Sequence, residues 1–322
     1  MGVGQKKILV TGSTGFVGSA VVSRLLSHGK FQVVAVVRKP VSLPRVVKIV
    51  PADLQDDNAC LERAVSGVEV VIHTAARVHV MEEGDVDPLW AYRSVNVNGT
   101  LNLARQAAFA GVKRFVFISS VKVNGEFTRC SPFREDDVPG PTDPYAISKL
   151  EAENALMALS QETDMDVVII RPPLVYGPGV KANFFRLMEW LYRGVPLPLG
   201  AIHNRRSFIY LHNLVDLISI CIEHPAAANQ IFLCGDGESL STTQLLLMLG
   251  ESLGKRARLL PVPQMLLSAC LKILGKGDIY TRLCCSLEVD ITKARTLLGW
   301  KPAVPVGQGV EDTARWFLEN CK

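Results

Sequence analysis

The glycine turn near the N-terminus constrains the fold of this chain more than any other feature. A β-type run, Lys7–Thr11, leads into Gly12, Gly15 and Gly18, and a helical run continues over 16–27. In this order the first glycine permits a tight turn, the second lets backbone approach a phosphate, and the third lets the helix pack on the strand. The helix N-terminus offers free N–H groups to the anion. The sequence therefore predicts a dinucleotide-phosphate site, with a glycine turn that binds nothing as the simpler alternative.

Composition is that of a globular enzyme. The chain has 322 residues, 48% hydrophobic and 20% charged, enough for one large α/β domain or two lobes. The net charge is +4 and the basic residues are scattered without interleaved aromatics, so no nucleic-acid partner is expected. Residues 1–7 leave no room for an export signal, and the eight cysteines have no C-x-x-C spacing. We therefore expect reduced thiols, a cytoplasmic protein, and no metal or disulfide site.

Strand-like and helix-like segments alternate along the first two thirds of the chain. The strand-like runs are almost continuously apolar, which is typical of strands buried on both faces of a parallel sheet. The sequence thus predicts an α/β fold, a Rossmann-type doubly wound parallel sheet, with a smaller and mainly helical C-terminal substrate lobe. The expected strands are 7–11, 32–37, 48–54, 68–73, 114–118, 166–170 and 230–234, and the expected helices between them include 58–65 and 90–110. The dinucleotide-binding domain is expected over 1–173, rejoined by about 207–235, and the substrate lobe over 174–206 and 236–322.

The residues at the carboxyl ends of these strands are the candidate cofactor ligands, because parallel sheets bind ligands at that edge. The second strand ends at Arg38, and a cation there suits the 2′-phosphate of NADP, whereas an acid suits NAD. NADP(H) is therefore favoured and NAD(H) left open, with a solvated strand-end arginine as the plainer interpretation. The full predicted set is Gly12, Thr14, Gly15, Phe16, Val17, Gly18, Arg38, Asp53, Leu54, Ala75, Ala76, Arg77, Tyr145, Lys149 and Pro173.

Tyr145 and Lys149 are the candidate proton-transfer pair. They stand four apart at the start of a helical run, directly after a proline-rich loop, so both side chains lie on one helix face. A lysine ammonium beside a phenol favours the phenolate, which would allow proton exchange near neutral pH. The same spacing occurs on many helices by chance, and an exposed surface pair is the simpler interpretation of the spacing alone.

The apolar stretch 259–274 is interrupted by Pro261, Pro263, Gln264 and Lys272, and is too short to span a bilayer. The pattern predicts a loop followed by an amphipathic helix. Such a helix belongs most often to a core or a subunit interface, and peripheral membrane contact is the alternative.

Four motifs in order, Thr11-Gly-x-x-Gly-Phe-x-Gly18, Ser120, Tyr145-x-x-x-Lys149 and Arg171-Pro-Pro-x-Val-Tyr-Gly-Pro178, resemble the extended short-chain dehydrogenases/reductases over nearly the whole chain. The nucleotide-sugar epimerases, dehydratases and 4-ketoreductases are most similar. Segments 117–126 and 144–153 resemble the branch that makes N-acetylated 6-deoxyhexoses for bacterial surface polysaccharides. The resemblance implies that Tyr145 is the acid/base, that Lys149 holds the nicotinamide ribose and depresses the tyrosine pKa, and that Ser120 hydrogen-bonds the reacting oxygen.

The resemblance also implies a substrate site for a UDP-linked sugar. Asn183 and Arg206 match positions that grip a nucleotide diphosphate, an apt task for an arginine fork, and Arg282 is expected to join them. Lys122 and Tyr176 are expected to border the sugar. For Lys122, Tyr176 and Arg282 a solvated surface position is the open alternative.

Two departures from the family pattern bear on the reaction. Leu174 stands where many members carry asparagine, and Arg38 stands where the epimerases carry an acid. Both favour an NADP(H)-dependent reductase of a UDP-4-keto-6-deoxy-N-acetylhexosamine at C4, with a nucleotide-sugar 4-epimerase that retains NAD as the alternative. A steroid- or flavonoid-type ketoreductase and a dinucleotide-binding regulator are further alternatives. Asn96 resembles a structural asparagine near the cofactor. A homodimer through helices 90–110 and 145–159 is expected from the resemblance.

Overall fold

Seven parallel strands form the central sheet of the computed structural model, which describes residues 5–39, 41, 43–54, 56, 61–78 and 87–320. The strand order is β3-β2-β1-β4-β5-β6-β9, so the chain leaves the centre in both directions from β1 and β4. This order and the parallel pairing confirm the predicted Rossmann-type sheet. The strands are β1 (Lys6–Thr11), β2 (Phe31–Val37), β3 (Lys48–Pro51), β4 (Val70–His73), β5 (Arg114–Ile118), β6 (Asp166–Arg171) and β9 (Gln230–Leu233).

Helices cover both faces of the sheet, because successive strand residues point to opposite sides. Ile8 and Val10 of β1 lie in the core beneath one helix layer, and Leu9 lies in the core beneath the other. The first layer contains α1 (Phe16–His28), α7 (Leu211–Glu223) and α11 (Thr292–Leu298). The second contains α2 (Glu62–Val65), α3 (Pro88–Arg93), α4 (Thr100–Phe109) and α5 (Pro144–Glu162).

The helix predicted over 90–110 begins slightly earlier, at Pro88, and consists of three continuous helical segments that together form one rod. Helices α3 and α4 are joined by a π-helical segment, Ser94–Gly99, and the rod ends at Ala110 before Gly111, which has φ +81°. Gly99 lets this segment approach β3, since a Cβ there would lie 2.3 Å from the carbonyl oxygen of Leu54. The predicted helix over 58–65 is seen only from Glu62, because 57–60 lie outside the described residues.

Among the described residues, the remaining strands form a second, three-stranded sheet, which is accompanied by five α-helices. Its strands are β7 (Leu174–Tyr176), β8 (Arg206–Tyr210) and β10 (Ser239–Leu240), in the order β10-β8-β7. Its helices are α6 (Ala182–Tyr192), α8 (Thr242–Ser252), α9 (Gln264–Ile273), α10 (Gly277–Cys284) and α12 (Val306–Asn320). The last strand of the large sheet is β9, as predicted, whereas β8 belongs to the small sheet. The proposed domain limits at 173, 207 and 235 stay predictions. Among the described helices, none is both long and apolar enough to cross a bilayer.

A buried ion pair fastens α5 to the sheet. The Arg171 guanidinium at the end of β6 donates through Nη2 to Glu153 Oε2 at 2.6 Å, and its Nε also faces that carboxylate. The two side chains are only 3% and 2% exposed. Arg171 Nη1 donates to Asn124 Oδ1 at 3.0 Å, which fixes the turn after β5 to the same group. One guanidinium therefore joins the sheet, the helix and the turn.

We expect Glu153→Ala to lower the free energy of unfolding by about 3–5 kcal/mol, because it leaves the Arg171 charge buried and unpaired. Urea denaturation followed by circular dichroism measures this. The control is Glu151→Ala on the same helix, whose partner Arg93 and own side chain are 46% and 33% exposed. That ion pair is expected to contribute less than about 1 kcal/mol. Equal losses in the two variants would contradict the role assigned to the buried pair.

Candidate active site

The glycine turn between β1 and α1 has the shape that a phosphate site requires. Gly12 has φ +65°, and a Cβ there would lie 2.7 Å from the Ala75 backbone nitrogen. A Cβ at Gly18 would lie 2.1 Å from the Gly12 carbonyl oxygen, so only glycine lets α1 pack this closely on the turn. Gly15 is the N-cap of α1 and meets only that same oxygen. The buried Ser13 hydroxyl has no hydrogen-bond partner in the described part of the chain.

These features fit a dinucleotide pyrophosphate. Thr14 and Gly15 are exposed, and Phe16 and Val17 are half-buried in the first turn of α1, whose free N–H groups face the turn. A helix N-terminus behind a glycine turn favours an anion through both its N–H groups and its dipole. The unpartnered Ser13 hydroxyl supplies one more donor beside them.

The other predicted cofactor residues follow the carboxyl ends of neighbouring strands, so they lie along one edge of the sheet. Arg38 and Asp53 are exposed after β2 and β3, and Ala76 is half-buried after β4. Leu54 and Pro173 are buried after β3 and β6. This edge is where parallel sheets bind their ligands. Their individual contacts to a cofactor stay predictions.

Asn96 joins the strand-end loop to the helix that carries Tyr145. Its Oδ1 accepts from the Arg77 backbone N–H at 2.9 Å, and its Nδ2 donates to the Arg77 carbonyl at 3.1 Å and to Ser148 Oγ at 3.0 Å. The Ser148 hydroxyl donates in turn to the Tyr145 carbonyl at 2.7 Å. Asn96 is fully buried and lies in the π-helical segment. These contacts are structural, as the sequence interpretation expected of this asparagine.

The three predicted catalytic side chains come together where β5 ends. Ser120 stands two residues beyond the end of the strand, and its hydroxyl lowers the pKa of the Tyr145 phenol. Lys149, one turn further along α5, donates from Nζ to the Ile118 carbonyl at 2.7 Å. Its ammonium lies 4.2 Å from the centroid of the Phe117 ring. A hydroxyl donor, a phenol and a lysine thus occupy one small region at the active edge of the sheet.

Burial dominates the titration of both Tyr145 and Lys149. It raises the pKa of the Tyr145 phenol, the Asp143 charge raises it further, and the hydrogen bond from Ser120 opposes them. Burial lowers the pKa of Lys149 to about 7, against the attraction of Glu153. Burial removes water from both groups and favours their neutral forms. Lys149 is not among the groups that shift the pKa of Tyr145 here, so the expected lowering of that pKa by Lys149 stays a prediction.

Lys122 belongs to a charged cluster that caps the catalytic helix. Its Nζ donates to Glu126 Oε1 at 2.7 Å and to Asp143 Oδ2. Asp143 Oδ1 accepts from the Ala146 N–H at 2.7 Å and so caps α5. Burial lowers the pKa of Lys122, but the hydrogen bonds to the two carboxylates outweigh it and raise the pKa overall. The solvated-surface alternative is thus wrong for Lys122, while its predicted position beside a sugar stays a prediction.

Arg206 is hydrogen-bonded to the second lobe through one nitrogen of its guanidinium group. Its Nη1 donates to the Cys285 carbonyl at 2.9 Å and to the Thr281 carbonyl at 3.4 Å, and burial lowers its pKa. Its Nε and Nη2 have no hydrogen-bond partner among the described residues, which leaves donors for an anion. Arg282 is exposed on α10 and Asn183 is exposed in the first turn of α6. Their roles in gripping a diphosphate stay predictions.

Tyr176 does not lie where the sequence interpretation put it. The side chain is 1% exposed and its hydroxyl donates to Asp236 Oδ2 at 2.9 Å. Its ring stacks on Phe184 in the core of the second lobe. The prediction that Tyr176 borders the sugar is therefore corrected: the residue is a core side chain whose one polar atom is already paired.

His73 is a site residue that the sequence interpretation did not single out. Its Nδ1 lies 2.7 Å from Thr11 Oγ1 and its Nε2 lies 2.9 Å from Thr100 Oγ1, and its ring stacks on Phe117. Burial, and then the Lys149 charge, lower its pKa to about 3. A neutral imidazole therefore ties the ends of β1 and β4 to α4. The only signal in the sequence was a histidine closing an apolar strand.

The doubly wound sheet, the glycine turn and the Ser120–Tyr145–Lys149 set define an extended short-chain dehydrogenase/reductase. The chain belongs to the NAD dependent epimerase/dehydratase family, whose model matches residues 8–235.

Several characterised proteins are similar over nearly the full length. The UDP-glucose 4-epimerase of Vibrio cholerae is 46% identical over 316 residues, covering 98% of this chain and 96% of that protein. The crystal structure of UDP-glucose 4-epimerase from Thermotoga maritima with UDP-glucose has a TM-score of 0.80 at 27% identity, covering 98% of this chain and 100% of the other. The UDP-glucuronic acid 4-epimerase of Bacillus cereus, in complex with UDP-glucuronic acid and NAD, has a TM-score of 0.79 at 25% identity, covering 97% and 99%.

These relatives change two expectations from the sequence. The Bacillus structure contains NAD, so the preference for NADP read from Arg38 has no support. The three relatives described above are 4-epimerases, so the alternative fits better than the 4-ketoreductase that the sequence favoured. Both interpretations agree that the protein is an enzyme of this family that acts on nucleotide sugars.

We expect Gly18→Ala to lower the dinucleotide content of the purified protein by at least about tenfold, because a Cβ at 2.1 Å from the Gly12 carbonyl displaces the turn that faces the phosphates. Nucleotide released by acid denaturation and quantified by absorbance after chromatography measures this. Gly307→Ala is the control, since its added Cβ meets nothing within 4 Å. A Gly18→Ala protein with full nucleotide content would contradict the assignment of the turn.

Proposed function

We propose that this protein is a UDP-hexose 4-epimerase that retains NAD through each turnover. The observation that carries the proposal is the 46% identity, over 98% of the chain, to a UDP-glucose 4-epimerase. The arrangement of Ser120, Tyr145 and Lys149 at the carboxyl edge of the sheet supports it, because inversion at one carbon needs a single proton-transfer group beside a single hydride acceptor.

The chain supplies binding and proton transfer. Tyr145 must first ionise against the raised pKa of its phenol, and the phenolate then removes the proton of the C4 hydroxyl. Ser120 hydrogen-bonds the same oxygen as its charge develops. Bound NAD supplies the hydride acceptor for C4 and the source from which the hydride returns. The resulting 4-keto sugar turns its other face toward the site, and Tyr145 gives the proton back to the C4 oxygen. Arg206 holds the diphosphate meanwhile, so that only the sugar moves.

The reductase interpretation rests on two residues, and neither is decisive. Arg38 is an exposed side chain directly after β2, where a cation is also common as a solvated strand end. Leu174 is 48% exposed, and the missing amide removes one possible contact without changing the proton chemistry. A retained NAD is compatible with both residues. We therefore rank the epimerase above the 4-ketoreductase.

A homodimer and a place in surface-polysaccharide synthesis belong to the same proposal. Trp90 on α3 and Phe109 on α4 are 62% and 97% exposed, which suits a helical interface with a second copy. The proposed link to N-acetylated sugars of surface polysaccharides rests on the sequence resemblance alone.

The direct test is incubation of purified protein with UDP-glucose and no added cofactor. We expect UDP-galactose to form, as measured by anion-exchange chromatography and proton NMR, and NAD rather than NADP to be released on denaturation. Stoichiometric consumption of NADPH with a UDP-4-keto-6-deoxy sugar, without interconversion of the C4 epimers, would establish the reductase instead.

The Tyr145 hydroxyl is expected to carry the proton. Tyr145→Phe should lower kcat by about 10²–10⁴-fold with dinucleotide content unchanged, because general acid–base transfer contributes that much. Steady-state epimerase kinetics measure it. The matched control is Tyr92→Phe, whose ring lies edge-on at 6.1 Å from Tyr145 and whose hydroxyl donates to the Val78 carbonyl. The proposed role fails if both substitutions have the same effect.

The charge of Asp143 is expected to set the acid limb of the pH profile. Asp143→Asn keeps a good helix cap but removes a negative charge that raises the pKa of Tyr145. The phenol then ionises at lower pH, so the acid limb of kcat/KM should move to lower pH, by on the order of one unit.

Glu126→Gln is the control for this shift. It removes the other carboxylate that contacts Lys122, but the pKa of Tyr145 is raised by burial and by Asp143 and Tyr92. We expect a much smaller shift from Glu126→Gln. A profile that moves to higher pH in Asp143→Asn would contradict the assigned electrostatics.

A further inference from the structure

Helix α9 turns an apolar face outward. Met265 and Ile273 are 86% and 85% exposed, and together with Ala269 they stand at i, i+4 and i+8, in one row along the helix. Leu266 and Leu274 are 57% and 65% exposed in the adjacent row. A helix on the surface of a globular protein normally has the opposite arrangement, with its polar face outward.

The inward side of the helix makes little contact with the lobe. Leu267 is the α9 side chain that packs, partly buried, against the core of the second lobe, and no residue of α9 is fully buried. The helix expected at 259–274 is therefore not part of a core, while the subunit interface and the membrane contact stay open. Leu260 before the helix and Ile279 on α10 are 50% and 41% exposed, so the apolar surface extends to both sides. We call residues 260–279 the α9–α10 hairpin.

The charge of the chain around α9 is mainly positive. Between Lys255 and Ile279 there is one acid, Asp278, against five cations. The cations are all exposed: Lys255, Arg256, Arg258, Lys272 and Lys276. In the whole chain, by comparison, the two signs are nearly balanced, with 35 lysines and arginines against 31 aspartates and glutamates. An exposed apolar helix face bordered mainly by cations complements a surface that is apolar inside and anionic outside.

We propose that the α9–α10 hairpin docks this protein on an anionic bilayer. Met265, Leu266 and Ile273 enter the boundary between headgroups and acyl chains, while Lys272 and Lys276 meet the phosphates. A helix of ten residues lies in the interface and does not span it. A second copy of the chain would bury the apolar face equally well, but identical cations would then approach each other around it.

Docking there also sets the orientation of the active site. Helix α10 is tied to Arg206 through the Thr281 and Cys285 carbonyls, so the lobe that carries the anion-gripping arginine is continuous with the docking surface. The substrate mouth is thereby held close to the membrane. Epimerisation of a freely diffusing nucleotide sugar does not depend on this contact.

The test is flotation of the full-length protein with vesicles. We expect it to float with phosphatidylglycerol–phosphatidylcholine vesicles at low salt, and not with pure phosphatidylcholine vesicles. The double variant Met265→Glu/Ile273→Glu should lower the bound fraction by at least about tenfold, and Lys272→Gln should weaken partitioning by about fivefold. Circular dichroism and epimerase activity on UDP-glucose, both expected to be unchanged, show that the variants are folded.

Val138→Glu is the matched control. Val138 is 89% exposed, as much as Ile273, but it follows Asp136 and Asp137 and so lacks a cationic border. It should bind vesicles as the unmodified protein does. The proposal is overturned if the unmodified protein does not float with anionic vesicles, or if the double variant floats equally well. It is also overturned if the double variant only changes the molar mass measured by light scattering, which would make the face an interface between copies.

Discussion

The buried guanidinium of Arg171 is the contact on which the active site depends. It extends from the end of β6 to Glu153 on α5 and to Asn124 in the turn after β5. Ser120 precedes that turn, and Tyr145 and Lys149 lie on that helix. Hydrophobic packing alone would allow the helix to slide along the sheet, whereas a charged pair in a dry site has only one satisfactory geometry. The position of the proton-transfer groups therefore follows from a contact that touches none of them.

Around this contact the protein builds an environment that favours neutral groups. The pKa of Tyr145 is raised, that of Lys149 falls to about 7, and that of His73 falls to about 3, with burial the largest cause in each case. The threonines beside His73 satisfy its ring nitrogens without a charge. A lysine that titrates near neutrality responds strongly to a neighbouring charge, so its protonation is sensitive to what binds beside it.

Local pattern was sufficient to predict the sheet and the glycine turn. Uninterrupted apolar runs such as 115–118 can only be buried on two faces, and the turn from Gly12 to Gly18 needs glycine for steric reasons that hold in any context. What failed depended on distant partners. The buried Tyr176 hydroxyl donates a hydrogen bond to Asp236, 60 positions away. The solvated position left open for Lys122 is excluded because Lys122 is ion-paired with Asp143 across a long loop. Arg38 led to the unsupported preference for NADP, because one exposed cation does not identify the cofactor unless the other residues around the adenosine ribose are known.

Because of the π-helical segment Ser94–Gly99, the two ends of the α3–α4 rod turn their packing faces in different directions. A π turn contains one residue more than an α turn, so the helix before it is rotated by about 100° relative to a continuous α-helix. Beyond the segment, Leu103 and Ala107 face the sheet, and before it Tyr92 meets Tyr145. One end of the rod, α4, packs on the sheet, and the other end, α3, is rotated so that it packs against α5. Removing one residue from the segment would keep both ends helical and turn one of them away from its partner.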